Sequence, residues 1–100
     1  MNVLFLSPYF PPTARHFCSA LSRRGARVLA VGDTPGANNA AAACGLTEYV
    51  FEPAMGDYGA LRGAVAGLVE RHGPLDRLDS NGEHWLEAEG RLRDEFPFPD

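Results

Sequence analysis

Short apolar runs alternate along this chain with longer segments in which apolar residues recur every three or four positions. The runs have the length of strands and lie at about residues 2–7, 27–31, 47–51 and 75–79. The first, Asn2–Ser7, is apolar almost throughout, which is typical of a strand buried on both faces of a parallel sheet. The pattern therefore predicts four strands separated by helices.

The segments between and after these runs have helical periodicity. Helices are predicted at about residues 14–24, 38–44, 58–72 and 83–95. The third has one apolar face, formed by Tyr58, Leu61, Val65, Leu68 and Val69. Asp57 is a suitable N-cap for this helix, and Gly73 stops it. Because Gly59, Gly63 and Gly67 recur at i,i+4 spacing, close packing is expected along their face.

The predicted fourth helix begins with a capping box. Ser80 and Glu83 form S-x-x-E, in which each side chain can accept a hydrogen bond from the other residue's backbone N–H. The apolar stripe of the helix is predicted to contain Trp85, Ala88 or Glu89, Leu92 and Phe96. Glu89 and Arg93 are spaced i,i+4 with the acid first, which predicts an ion pair on the helix surface.

The elements follow the order β-α-β-α-β-α-β-α with short connections. This order predicts right-handed crossovers and a three-layer, Rossmann-like α/β domain, with a four-stranded parallel sheet and helices on both faces. We predict the strand order 3-2-1-4. The topological switch then falls between the first and fourth strands, where open α/β sheets bind ligands beyond the carboxyl ends of the strands.

Two polar segments meet at this predicted ligand edge. The loop Ser7–Pro12 follows the first strand, and the turn Ser80–Glu83 follows the fourth. The candidate substrate-binding residues are therefore Ser7, Pro8, Asn81 and Glu83. The carboxylate of Glu83 has two possible roles. It can serve the capping box, and it can receive a substrate ammonium or hydroxyl group; the two roles are compatible.

The chain lacks the sequence features of several catalytic sites. No G-x-G-x-x-G fingerprint follows the first strand, which disfavours classical NAD or FAD binding and weakens Asp33 as a ribose ligand. The chain contains no Lys, so a phosphate-binding loop with Lys is absent. Nothing in the sequence supplies Ser7 with a base, and His84 is interpreted as exposed and idle. We therefore predict no catalytic residue, metal site or cofactor in these 100 residues.

Composition argues against some partners. Nine basic residues, all Arg, and thirteen acidic residues give a net charge of −4, which argues against nucleic acid or an anionic membrane. The two cysteines, Cys18 and Cys44, make neither a disulfide framework nor a metal set and are expected to be buried apolar side chains. No signal peptide or membrane-spanning run is recognised. We expect a cytoplasmic domain that handles a small-molecule substrate.

Several segments resemble the N-terminal domain of ATP-grasp ligases. They are Val3-Leu4-Phe5-Leu6-Ser7-Pro8, Gly25-Ala26-x-Val28-Leu29, Gly32-Asp33, Leu46-Thr47-Glu48-Tyr49-Val50 and Asp76-x-Leu78-Asp79-Ser80-Asn81-x-Glu83-x-Trp85-Leu86-Glu87 with Arg91-Leu92-Arg93. The resemblance covers nearly the whole chain and extends to carbamoyl-phosphate-synthase-like members. No single motif is diagnostic, so the resemblance depends on their occurring together.

The resemblance implies a pre-ATP-grasp domain over residues 1–96 and an exit linker over residues 97–100. A downstream ATP-grasp region would bind ATP and Mg²⁺ and activate a carboxylate as an acyl phosphate, which an amine then attacks. This chain would be the substrate-side scaffold of such a ligase and would not be catalytic as an isolated piece. Its partners would be the downstream domain and the small-molecule substrate, and a homodimer is left open.

Two other interpretations remain. Ser7–Pro12 with Arg15 and His16 also resembles the N-terminal acceptor domain of two-domain glycosyltransferases. Those enzymes usually have Gly just after the prolines, where this chain has Thr13 and Ala14, which counts against that interpretation. A non-enzymatic α/β interaction domain is the third, and no positive feature supports it.

Overall fold

The part of the chain that the structure describes contains seven helices and strands. The computed structural model describes residues 1–6, 13–33, 45–80 and 86–96, apart from the side chains of residues 13–15 and 17. The elements are β1 (Asn2–Leu6), α1 (Thr13–Arg23), β2 (Arg27–Gly32), β3 (Glu48–Phe51), α2 (Tyr58–His72), β4 (Arg77–Ser80) and α3 (Leu86–Glu95). The predicted helix at 38–44, the start of the predicted fourth helix and the exit linker at 97–100 lie outside these residues.

The four strands form one parallel sheet in the order β3-β2-β1-β4, which confirms the predicted topology. Strand β1 is central, with β2 on one side and β4 on the other. Leu6, the last residue of β1, is the register partner of both Val31 and Ser80. The carboxyl ends of β1 and β4 therefore lie side by side at the topological switch.

Helices cover both faces of the sheet, as predicted. The core on the side of α2 and α3 includes Leu4, Leu6, Leu29, Val31, Leu61, Val65, Leu68, Leu78 and Leu92. The core on the side of α1 includes Phe5, Cys18, Val28, Ala30, Leu46 and Tyr49. Side chains alternate between the faces of a strand, so neighbours such as Leu4 and Phe5 belong to different cores. Cys18 is buried as expected, and Cys44 lies outside the described residues.

Helix α2 begins and ends where the sequence predicts. The side chain of Asp57 accepts a hydrogen bond from the backbone N–H of Gly59 at 2.9 Å, which makes Asp57 the N-cap. Gly73 has a φ of 91°, in the region that favours glycine, and its N–H donates to the Val69 carbonyl. The predicted apolar stripe is confirmed, since its central residues Leu61, Val65 and Leu68 are fully buried.

Among the described residues, the glycines of α2 do not mediate the close packing that their spacing permits. A Cβ added at Gly63 would meet no described residue within 4 Å. Of the described residues, a Cβ at Gly59 would meet the side chain of Asp57 and a Cβ at Gly67 that of Arg71, and both belong to the same segment as the glycines. The physical reason is helical phase: the apolar stripe takes the side facing the sheet, and the glycines lie on the opposite side.

Strand β4 covers Arg77–Ser80 rather than the predicted 75–79. Asn2 holds the chain just before the strand, because the N–H of Asp76 donates to the Asn2 carbonyl at 2.8 Å. The N–H of Asn2 donates in turn to Asp76 Oδ2 at 2.7 Å. At the other end of the strand, Ser80, which was predicted as the first residue of the turn, pairs with Leu6 as the last residue of β4.

Candidate functional site at the β1–β4 edge

The predicted ligand edge is the place where the carboxyl ends of β1 and β4 meet. The last residues of these strands, Leu6 and Ser80, are register partners. The segments that follow them, residues 7–12 and 81–85, lie outside the described residues. The predicted substrate-binding residues Ser7, Pro8, Asn81 and Glu83 all belong to these two segments, as does His84. The structure therefore brings together the two strand ends from which these residues continue.

Ser80 places a buried hydroxyl group at this edge. It follows Leu78 by two positions in β4, so both side chains point to the face covered by α2 and α3. The Oγ atom of Ser80 is buried and has no hydrogen-bond partner among the described residues. Most buried polar atoms in proteins are hydrogen-bonded, so this hydroxyl is an exception.

Glu89 brings a carboxyl group to the same face. It lies on α3, three positions before the fully buried Leu92, and only 5% of its surface is exposed. Burial raises the pKa of the Glu89 carboxyl above its ordinary value, and the nearby Asp79 carboxylate raises it further. The Ser80 hydroxyl and the Arg93 guanidinium lower this pKa and only partly offset the effect of burial. The surroundings of Glu89 thus disfavour its charged form.

The Ser80 hydroxyl influences Glu89 by proximity. It is close enough to favour the charged carboxylate, yet the two groups do not meet the geometry of a hydrogen bond. The backbone N–H of Ser80 is turned elsewhere and donates to Asp79 Oδ1 at 2.9 Å. A buried hydroxyl and a buried carboxyl therefore lie near one another at this edge.

Arg93 does not form the predicted surface ion pair with Glu89. Its Nη2 donates to the backbone carbonyl of Leu78 at 2.9 Å. The ion pairs that join described residues do not include Glu89 and Arg93, so this prediction is wrong. The reason is that Glu89 occupies a position in the buried stripe of α3, while Arg93 reaches the backbone of β4.

Sequence pattern alone does not select Glu89 as a site residue, although its position contains a signal. Either Ala88 or Glu89 completes the stripe with Leu92 and Phe96, and Glu89 is the more buried of the two. Carboxylates are rarely buried, because removing them from water costs free energy. A charged residue inside an apolar stripe, on the helix next to the predicted ligand edge, is the signal that identifies it.

The neighbouring end of β2 is filled by an aromatic ring. A Cβ added at Gly32, the last residue of β2, would lie 2.9 Å from ring carbon Cε2 of Tyr49. This close approach requires glycine at position 32. Asp33, which follows, is exposed. The ring covers the α1 face of the sheet, whereas Ser80 and Glu89 lie on the other face.

A second polar cluster lies at the opposite, amino-terminal edge of the sheet. Glu48 Oε2 accepts a hydrogen bond from Arg71 Nη2 at 2.6 Å, and Oε1 lies 2.7 Å from His72 Nε2. Arg27 Nη2 lies 2.6 Å from His72 Nδ1, and because a guanidinium only donates, that nitrogen accepts and Nε2–H donates to Glu48. The hydrogen bond from Arg71 holds the pKa of the Glu48 carboxyl below its ordinary value, against the effect of burial and with help from His72.

The described residues do not suggest a metal centre or a membrane segment. Among residues 1–6, 13–33, 45–80 and 86–96, no group of three or more His, Cys, Asp or Glu side chains could hold a metal ion. In the same ranges, no helix is long and apolar enough to cross a bilayer.

The sequence was compared with protein-family models and with curated proteins, and neither comparison found a relative. No protein-family model matches the sequence, and no curated protein matches it at a significant level. The site is therefore characterised by its own geometry: two paired strand ends, a buried hydroxyl and a buried carboxyl at the topological switch of a parallel sheet.

Proposed function

We propose that this chain is the N-terminal, substrate-side domain of an ATP-dependent carboxylate–amine ligase of the ATP-grasp type. One observation carries the proposal: the carboxyl ends of β1 and β4 are paired at Leu6 and Ser80 in an all-parallel sheet, with Glu89 buried beside them. Open α/β sheets place their ligands at such a point. The resemblance to ATP-grasp ligases is strongest over residues 76–87, which include the end of β4, and residues 3–8, which include the end of β1, also take part in it.

In this proposal the chain positions a small substrate, and a downstream ATP-grasp region of the same protein performs the phosphoryl transfer. The substrate carboxylate would attack the γ-phosphorus of ATP and release ADP, forming an acyl phosphate. The amine would then attack the acyl carbon and displace inorganic phosphate, leaving an amide. Phosphoryl transfer needs charges that cradle the phosphates and a bound Mg²⁺. The chain has no Lys, and its described residues include no metal-binding cluster, so this step is assigned to the downstream region.

The test compares the whole encoded protein with residues 1–100 alone. Each is purified and supplied with ATP, Mg²⁺ and pairs drawn from a panel of carboxylates and amines, and ADP release is measured. We expect ADP release from the whole protein only when both a carboxylate and an amine are present. We expect none from residues 1–100.

A sugar-nucleotide panel serves as the control for the alternative function. Cleavage of a sugar nucleotide by the whole protein, without ATP-dependent joining, would contradict the ligase proposal and favour a glycosyltransferase. An encoded protein that ends at Asp100 would contradict it as well. Mg²⁺-dependent ATP turnover by residues 1–100, removed by a substitution within them, would overturn the assignment of phosphoryl transfer to another region.

A further inference from the structure

The ring of His72, the last residue of α2, has a polar partner at each of its two nitrogen atoms. Nε2 lies 2.7 Å from Oε1 of Glu48, and Nδ1 lies 2.6 Å from Nη2 of Arg27. The side chain of His72 is only 14% exposed, whereas Arg27 is exposed at the start of β2. The ring therefore joins the end of α2 to two strands, with a carboxylate on one side and a guanidinium on the other.

This arrangement fits only the neutral ring. A guanidinium has donors and no acceptor, so the contact with Arg27 requires a free lone pair on Nδ1. Glu48 is charged at neutral pH, because the hydrogen bond from Arg71 holds the pKa of its carboxyl below its ordinary value, and a carboxylate only accepts. The single hydrogen of the neutral ring therefore lies on Nε2, which donates it to Glu48.

Protonation of the ring preserves one of these contacts and removes the other. A protonated imidazole donates from both nitrogen atoms. The hydrogen bond from Nε2 to Glu48 is retained, whereas at Nδ1 two donors and two positive charges would face each other across 2.6 Å. Because Arg27 is exposed, its guanidinium can move into water.

Other polar groups packed against the end of α2 have contacts that do not use the ring nitrogens. Arg71 of the same helix donates to Glu48 from Nε at 3.1 Å and from Nη2 at 2.6 Å. From β1, the neutral side chain of Asn2 donates to the backbone carbonyl of His72 at 3.0 Å. The charged Asp76, just before β4, accepts the backbone N–H of Asn2. Protonation of His72 leaves these contacts in place, so its effect is confined to Arg27.

We propose that His72 is a pH-sensitive latch, which binds Arg27 while the ring is neutral and releases it when the ring is protonated. Histidine is the side chain whose charge ordinarily changes between about pH 5 and pH 8. With the ring neutral, the Arg27 side chain ties the start of β2 to the end of α2. With the ring protonated, this edge of the sheet presents a free guanidinium. The latch lies at the amino-terminal edge and does not depend on the proposed ligase function.

The latch is tested by NMR of isotopically labelled protein, following the ring of His72 and the guanidinium of Arg27 from about pH 8 to about pH 5. At the upper pH we expect the His72 hydrogen on Nε2 and separate Nη signals for Arg27, because a bound guanidinium rotates slowly. On acidification these signals should merge, with the same midpoint as the shifts of the His72 ring. Arg71 and Arg62 form ion pairs with glutamates and should not follow that midpoint.

Matched variants separate the latch from a general response to pH. His72→Gln keeps an oxygen that can accept from Arg27 but has no titrating group, so the Arg27 signals should lose their pH dependence. His16→Gln removes an exposed histidine of α1 and should leave the Arg27 response unchanged.

A double-mutant cycle measures the same contact by urea unfolding. Arg27→Ala and His72→Ala should show a coupling free energy at about pH 8 that falls to near zero at about pH 5. Coupling of equal size at both pH values would show that the contact survives protonation of the ring.

Four NMR results would overturn the latch. They are a neutral His72 ring with its hydrogen on Nδ1, Arg27 signals that are merged at the upper pH, Arg27 signals that stay separate after the ring is protonated, and an unchanged Arg27 response in His72→Gln. Loss of the bound Arg71 signals at the same midpoint would show that the whole cluster opens, which would overturn the release of Arg27 alone. If the His72 variants did not fold, the wild-type titration, with Arg71 and Arg62 as internal controls, would decide the question.

Discussion

The carboxyl groups of Glu48 and Glu89 lie at opposite ends of the sheet and have opposite electrostatic environments. At the amino-terminal edge, Glu48 is hydrogen-bonded to Arg71 and His72, and the His72 ring is held by Arg27. At the β1–β4 edge, Glu89 is more deeply buried and has no ion pair among the described residues. Partners lower the pKa of Glu48, whereas burial raises that of Glu89.

This difference shows how one type of side chain acquires two roles. A carboxyl group whose pKa falls on folding stabilises the folded protein in its charged form, and one whose pKa rises destabilises it in that form. The amino-terminal edge uses polar groups to join β2, β3 and α2. The edge where β1 and β4 end keeps an acid that costs stability, which is typical of a site that serves binding.

The largest expected effect concerns the well-paired edge, at Asn2. Its Nδ2 donates to the backbone carbonyls of His72 and Pro74, each at 3.0 Å, and the residue is only 8% exposed. Asn2→Ala would leave both carbonyls without this donor, so we expect a loss of about 2 kcal/mol in the free energy of unfolding. Urea denaturation followed by circular dichroism measures it.

Asp33→Ala is the control for Asn2→Ala, because Asp33 is exposed at the end of β2. A surface substitution of this kind should change the free energy of unfolding by less than about 0.5 kcal/mol. A loss in Asn2→Ala no larger than that of the control would show that the amino-terminal edge is not held by this side chain.

The second prediction has the opposite sign and concerns Glu89. Because its folded-state pKa lies above the ordinary value of 4.5, the folded state loses stability as pH rises through that pKa. Glu89→Gln removes the charge and should raise the free energy of unfolding at pH 7 by about 1 kcal/mol, the scale for an unsatisfied buried polar group. The gain should shrink as pH falls toward 4.5 and below. Urea midpoints at several pH values measure it.

Glu87→Gln on the exposed face of α3 is the matched control and should change stability little at any pH. If Glu89→Gln were less stable than the wild type at pH 7, the Glu89 carboxylate would have a stabilising partner, and the contrast between the two edges would fail.

The smallest expected effect is at Glu48. Its folded-state pKa is lowered, so its contribution to stability is present above the ordinary value of 4.5 and is lost as pH falls through the folded-state pKa. Glu48→Gln should reduce the free energy of unfolding at pH 7 by less than about 1 kcal/mol, because its side chain is 31% exposed and solvent screens the ion pair. The same urea series, extended to acid pH, measures the difference.

Wild type and Glu48→Gln should become equally stable in acid, and high salt should reduce the difference at neutral pH. A difference that grows on acidification would show that the charged Glu48 carboxylate does not stabilise the folded protein. At neutral pH, Glu48→Gln should thus be less stable than the wild type, and Glu89→Gln should be more stable.

Much of the fold follows from local pattern. The apolar stripe of α2 and its N-cap Asp57 depend on residues close together in the chain, and both are as predicted. The strand order follows from short right-handed connections, which leave few topologies available. The strand ends that carry the predicted site residues could therefore be placed before any coordinates were known.

The sequence by itself determined the sheet, its order and the edge at which β1 and β4 meet, because periodicity and chain connectivity are local properties. Only the tertiary structure decided that Ser80 ends β4 and that Glu89, rather than forming a surface pair with Arg93, is buried beside it. Both outcomes depend on the rotation of α3 against β4 and on the register of β4 with β1. Those quantities are set by the packing of side chains from distant parts of the chain, which no local pattern contains.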